Sequence, residues 1–283
     1  MIAVLTDTTA SIPVDLIEEL QIELVPYYIM RNNETLRDGI DIQPDEFAQY
    51  LMAARTLPTT SNPSPGDYIK GIKKLAERTR EIVSITMTSK GSGAYQSCRA
   101  AAEMMSEHLP HLRVEVVDSL QTAMAHGWSV IEAARTARQG LGIKEVAAKA
   151  REIAAKTHML QTNDTLRYLY MGGRIGKAQS LMGSLLNIKP IVTMEDGIIV
   201  PLGTARTRHK AYMKMVDLVR EKVGQGGKIK IAFTHCAAMD QLEILKDEFS
   251  KHFQCVEVLV SALAPSLAVH SGPGTVGLAY LPV

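Results

Sequence analysis

Short apolar runs alternating with stretches of helical periodicity fill the first half of this chain and leave it few folds to choose from. Ile2 to Leu5, Glu81 to Thr86 and Arg113 to Val117 read as strands. Pro13 suits the first turn of a helix running through Leu20. After the second strand, Ala94, Cys98, Ala101, Ala102, Met105 and Leu109 recur at three-to-four spacing, the signature of a helix with one buried face. Two more helices are expected over about 121–138 and 143–155, separated by the breaker Gly140-Leu141-Gly142. Strands that alternate with helices predict a mainly parallel sheet covered on both faces.

The second half follows a different pattern. Ile191-Val192-Thr193-Met194 and Ile198-Ile199-Val200 flank Asp196-Gly197, a strong hairpin signal. A helix is expected over about 208–223, then a strand at 229–234, a helix at 239–250, and strands at 254–260 and 276–281. The fold class expected is therefore α/β, with two α/β domains, 1–157 and 158–283, the second built on a mixed sheet. No internal repeat or low-complexity tract interrupts either half.

Bulk properties exclude several functions. Of the 283 residues, 31 are Lys or Arg and 30 are Asp or Glu, with no block of like charge, so a nucleic-acid or anionic-membrane surface is poorly supported. The opening Met1-Ile2-Ala3-Val4-Leu5-Thr6-Asp7 has no basic start and reaches an acid at once, which suits a first strand rather than a signal peptide. No run of about 18 apolar residues is present, so no membrane span is expected. Cys98, Cys236 and Cys255 are few, odd in number and far apart, as in a reducing cytoplasm. Neither His-x-His nor His-Glu-x-x-His occurs, so no metal site and no cofactor are expected.

Four segments can carry chemistry. Thr88-Ser89-Lys90-Gly91-Ser92-Gly93-Ala94 joins a strand to a helix, and its glycines let a ligand approach the backbone. Ser92 there either caps the helix or helps its free N–H groups receive a phosphate or carboxylate. In Pro58-Thr59-Thr60-Ser61-Asn62-Pro63-Ser64-Pro65-Gly66, Ser64 suits a helix cap, while Thr60 is a candidate donor to an anion. His270 precedes the glycine-rich Ser271-Gly272-Pro273-Gly274 and is either structural or close to a ligand. Asp164 to Met171 reads as a capped helix stopped by Gly172-Gly173, after which Arg174 emerges, either solvated or facing a partner.

Taken together and in order, these segments resemble the DegV family. The match includes Thr6-Asp7-Thr8-Thr9-Ala10, Thr60-Ser61 with Pro63-Ser64-Pro65-Gly66, Ser89-Lys90 with Ser92-Gly93, and Asp164-Thr165-Leu166 through Gly172-Gly173-Arg174-Ile175. It continues through Leu186-Asn187-Ile188-Lys189-Pro190-Ile191, Arg206 with Lys210-Ala211, and His270 with Gly272-Pro273-Gly274. The resemblance implies a protein that holds one long-chain fatty acid between two domains. It further implies that a fatty-acid kinase partner phosphorylates the bound carboxylate, and that this chain has no catalysis of its own.

By the same resemblance Thr60, Ser61, Ser92 and Gly93 would form the head-group site, with His270 and Arg206 close to it and Arg174 at the kinase-docking surface. One departure is Gly91-Ser92-Gly93-Ala94 where the family usually carries Leu-Ser-Gly-Thr, which removes apolar bulk near the head group. The physics agrees with such a ligand. A buried carboxylate needs several donors, and each buried methylene contributes about 0.8 kcal/mol. Fourteen methionines suit either a compliant lining or an ordinary core.

The main rival reading is a hydrolase, with Ser92 as nucleophile, His270 as base and Asp7 or Asp118 behind it. No Gly-x-Ser-x-Gly elbow supports it. A nucleotide-binding module is a third reading, and it has only two of the glycines of Gly-x-Gly-x-x-Gly.

Overall fold

The computed structural model describes residues 2–54, 56–182 and 188–283. Leu186 and Asn187, part of one segment behind the family resemblance, lie outside them. In chain order the elements are β1 (Ala3–Asp7), α1 (Val14–Leu20), β2 (Glu23–Val25), β3 (Tyr28–Arg31), β4 (Glu34–Arg37), α2 (Pro44–Ala53), β5 (Thr59–Ser61), α3 (Pro65–Ala76), β6 (Glu81–Thr86) and α4 (Ala94–His108). There follow β7 (Arg113–Asp118), α5 (Ala123–Arg138), α6 (Ile143–Lys156), β8 (His158–Thr162), α7 (Arg167–Met171), β9 (Lys189–Glu195), β10 (Ile198–Ala205) and α8 (Arg208–Val223). The chain ends with β11 (Lys228–His235), α9 (Met239–His252), β12 (Gln254–Ala262), α10 (Pro265–Ser271) and β13 (Val276–Pro282).

The expected α/β class is what forms. Strands β2-β1-β6-β7 make a wholly parallel sheet, and β10-β9-β8-β13-β11-β12 make a mixed one in which only β11 and β12 run parallel. The Asp196-Gly197 hairpin forms between Glu195 and Ile198, with both turn residues left-handed (φ 49° and 78°), the conformation whose twist matches its strands. Ser64 caps α3 reciprocally with Asp67, so the Ser-Pro-Gly-Asp run works as a helix start.

Local pattern missed a third sheet, β4-β3-β5, and the helices α2 and α10. These strands are three or four residues long, too short for alternation to stand out.

The two large sheets are not covered independently. α5 is buried nearly all round, and the apolar cluster it belongs to joins Val83, Ile85 and Val117 of the parallel sheet to Ala232, Ala279 and Leu281 of the mixed one. Trp128, fully buried in α5, donates its indole N–H to the Ala279 carbonyl at 3.1 Å. On the flank of this layer Arg135 of α5 grips Glu257 of β12 through both guanidinium nitrogens, at 2.6 and 3.0 Å, with Lys230 and Glu132 completing the cluster. Helices contributed by the first half are thus the packing surface for the sheet of the second.

Candidate functional site

A cavity of about 480 Å³ opens between the two large sheets. Its walls come from the turn after β6, β5, the start of α5, β8, the β9–β10 hairpin, the chain after α7, and α10. The size is in the range of small-molecule sites.

One end is polar. Asp118 accepts the Ser89 and Leu120 N–H groups at 3.1 and 3.0 Å, and Asp7 accepts that of Met87 at 3.2 Å, so the turn carrying Ser92 is held from below. Ser92 Oγ lies 2.6 Å from the Tyr27 hydroxyl and accepts the Ala94 N–H at 3.3 Å. Thr60, paired with Ile29 across β3–β5, reaches His270 of α10, Oγ1 to Nε2 at 2.9 Å. Arg174 arrives from the far side of the opening, donating to the Gly172 carbonyl at 2.7 Å and the Gly91 carbonyl at 3.4 Å. Arg174 and Lys90 are the cations of the lining.

Burial keeps the two titratable ring groups at this end uncharged. Burial, aided by the positive Arg174, pushes the His270 imidazole down to about 4, so it is neutral at pH 7. Its Nδ1 is buried without a partner among the described residues. Burial, reinforced by the Asp7 charge, raises the Tyr27 phenol well above its ordinary value, so it stays a hydroxyl.

The rest of the lining is mostly apolar, with Met87, Met159, Met194, Leu169, Leu263 and Ile198 prominent. Its lid is tied down by a contact between sheets: Thr88 donates its hydroxyl to the Gly197 carbonyl at 2.9 Å. A Cβ at Gly197 would stand 2.5 Å from that same hydroxyl, so the hairpin can sit here only with glycine at its tip.

Thr60, Ser61, Ser92, Arg174 and His270 all line this one cavity, although up to 210 residues separate them. Ser61 turns its hydroxyl to the Asn62 carbonyl at 3.3 Å. Gly93 stands behind the lining, where a Cβ would meet Asn62 Oδ1 at 3.0 Å. Arg206 is not brought to the cavity. It is exposed and follows Ala205 at the far end of β10, whereas the cavity is lined by Ile198 and Ile199 at the near end. At about 3.3 Å per residue a seven-residue offset is roughly 23 Å.

The relay that the hydrolase reading requires is not assembled. Ser92 pairs with Tyr27 and His270 with Thr60, while Asp7 and Asp118 hold turns. Tyr27 is a residue at the polar end of the cavity that sequence reasoning missed. A tyrosine after a short apolar run looks like core, and only the fold brings its hydroxyl to Ser92. Among the described residues no cluster of His, Cys, Asp and Glu suits a metal ion, and no helix is long and apolar enough to cross a membrane.

Comparison with known proteins agrees with this fold. The family model described as "Uncharacterised protein, DegV family" matches residues 1–283. A DegV domain-containing protein of Halalkalibacterium halodurans is 33% identical over 282 residues, covering 99% of this chain and 98% of the relative. Among solved structures, a DegV family protein from Thermus thermophilus, described by its fatty-acid binding, superposes with a TM-score of 0.93 at 30% identity, covering 100% of this chain and 99% of its own. DegV from Bacillus subtilis, described as a fatty acid binding protein, superposes with a TM-score of 0.86 at 28% identity over 100% and 99% of the two chains. With the fold and the whole length in agreement, this chain belongs to the DegV family.

Proposed function

We propose that this protein binds one long-chain fatty acid in the cavity between its two sheets and presents the carboxylate to a fatty-acid kinase, which converts it to an acyl phosphate. In this reading residues 1–157 and 158–283 supply the two walls, the protein works in the cytoplasm, and the chain carries the lipid without transforming it. The observation that carries the proposal is the meeting of Thr60, Ser92, Tyr27 and neutral His270, with Arg174 beside them, at one end of a cavity whose remaining wall includes Met87, Met159, Met194, Leu169, Leu263 and Ile198. Uncharged donors together with the cations Arg174 and Lys90 around a concave site suit a carboxylate, whose burial unpaired is prohibitive. The methionine-rich remainder suits a flexible acyl tail. The solved relatives from Thermus thermophilus and Bacillus subtilis, both described as binding fatty acid, support the same ligand class.

The kinase half of the proposal leans on Arg174, which is exposed at the cavity mouth and bonded only to backbone carbonyls among the described residues. Native and denaturing mass spectrometry of protein purified from a bacterial host tests the binding half. About one fatty acid per chain is expected. Protein that stays lipid-free and takes up none from an added mixture overturns it. Arg174→Ala tests the other half: acyl-phosphate formation with the cognate kinase, measured on lipid-loaded protein, falls by more than any loss of bound lipid accounts for. A fall only in proportion to the lipid lost would make Arg174 a residue of the pocket and not of the kinase-docking surface.

A further inference from the structure

Away from the Thr60–Ser92 end, the cavity wall contains a carboxamide that a plain hydrocarbon cannot match. Gln161 sits in β8, two residues after Met159 and opposite Val192 of β9. It lines the cavity, yet only 6% of it is exposed.

Its orientation follows from its neighbours. Asn163 Nδ2 lies 2.9 Å from both the Ser271 carbonyl and Thr275 Oγ1. Thr275 spends its own hydrogen on that carbonyl at 2.8 Å, so both oxygens accept from Asn163 and its amide nitrogen must point at them. The Asn163 oxygen is thereby left facing Gln161 and can only accept, which Gln161 answers with Nε2 at 3.1 Å. Oε1 is then the free end that Gln161 brings to the cavity, and no hydrogen bond reaches it among the described residues.

Most hydroxyls of the same lining are already committed. Thr9 donates to Asp7, Thr88 to the Gly197 carbonyl and Ser266 to Asp38. Thr122 is different: its Oγ1 is buried with no partner among the described residues, as is His270 Nδ1 in the same wall. A hydroxyl rotor can turn away from a hydrocarbon, but a carboxamide held at its other end cannot. A polymethylene tail lying against Oε1 would strand a buried acceptor, and an acyl chain with a hydroxyl at that height would satisfy it.

We propose that the preferred ligand is a hydroxylated long-chain fatty acid whose chain hydroxyl donates to Gln161 Oε1. This rests on the fatty-acid reading above and narrows it to a substrate class. Sites that hydrogen-bond a ligand hydroxyl discriminate against the analogue lacking it far better than apolar pockets sense one methylene.

The test uses delipidated full-length protein, stearic acid and a series of monohydroxystearic acids with the hydroxyl at successive positions. One positional isomer is expected to bind about tenfold more tightly than stearic acid, with neighbouring isomers falling off, and Gln161→Met is expected to erase that preference while still binding stearic acid. Stearic acid binding the wild-type protein as tightly as every hydroxy isomer overturns the inference and leaves the fatty-acid reading intact. So does a preference that survives Gln161→Met, because the hydroxyl would then be read elsewhere. Binding of neither class overturns both readings. Should Gln161→Met fail to fold, the wild-type series decides alone.

Discussion

Gly172 at the end of α7 and His270 in α10 stand so close that a Cβ on the glycine would lie 2.1 Å from the imidazole Nδ1. The chain there has an ordinary negative φ (−76°), so the demand for glycine comes from the approach of the ring and not from backbone conformation. Gly172→Ala is expected to push His270 off Thr60 and reduce fatty-acid retention, with a stability cost of about 1–3 kcal/mol from overpacking. Ligand content by mass spectrometry, beside a thermal melt, checks this. Full retention would show that the ring has another place to go.

His270 and Asp38 set opposing pH dependences in the same window. Burial lowers His270 to about 4, so the native state resists the proton that the unfolded chain takes near 6.5. Its contribution is intact above 6.5 and lost as the pH falls towards 4. Burial raises Asp38 to about 6, against hydrogen bonds from Ser266 and Thr8 that favour the charged form. Its contribution is present below the ordinary carboxylate value and lost as the pH rises through 6. Urea unfolding at pH 7.5 and 4.5 separates them. His270→Gln should lose less stability than wild type on acidification, by on the order of 2 kcal/mol, whereas Asp38→Asn should lose more. Identical pH slopes in all three proteins would remove both groups from the account.

Tyr27→Phe deletes the hydroxyl 2.6 Å from Ser92 and almost nothing else. If that hydroxyl holds Ser92 towards a carboxylate, fatty-acid affinity should fall about five- to tenfold, the worth of roughly 1 kcal/mol. Affinity for the corresponding fatty alcohol should change far less. An equal loss for acid and alcohol would mean that Tyr27 shapes the cavity and leaves the head group alone.

Trp128 is the single tryptophan of the chain and sits in the helix layer shared by both sheets. Trp128→Ala is expected to cost about 3–5 kcal/mol, and Trp128→Phe less, since most of the packing is kept. Denaturant unfolding followed by circular dichroism measures both. In the wild-type protein Trp128 fluorescence should change in the same transition, because one core joins the two sheets. A separate, earlier fluorescence change would mean that the sheets part before they melt.

Much of the scaffold was legible in local pattern because its causes are local. The three-to-four spacing from Ala94 onward marks the face of α4 that is buried, Asp196-Gly197 supplies the two left-handed residues of its hairpin, and Ser64 with Asp67 caps α3. Thr60, Ser92 and His270 stood out for the same reason, as polar groups in glycine- or proline-rich turns, although their convergence came from family resemblance. What tertiary structure alone decided are matters of long-range meeting. Tyr27 and Gln161 look like strand residues until the fold sets one against Ser92 and the other against Asn163. Arg206 is expected near the head group, yet β10 runs away from the cavity and carries it to the other end of the strand. Periodicity and turn chemistry report how a residue sits relative to its own backbone. Which distant side chain it meets depends on how the helices and sheets pack, and that is settled only when the whole core is buried.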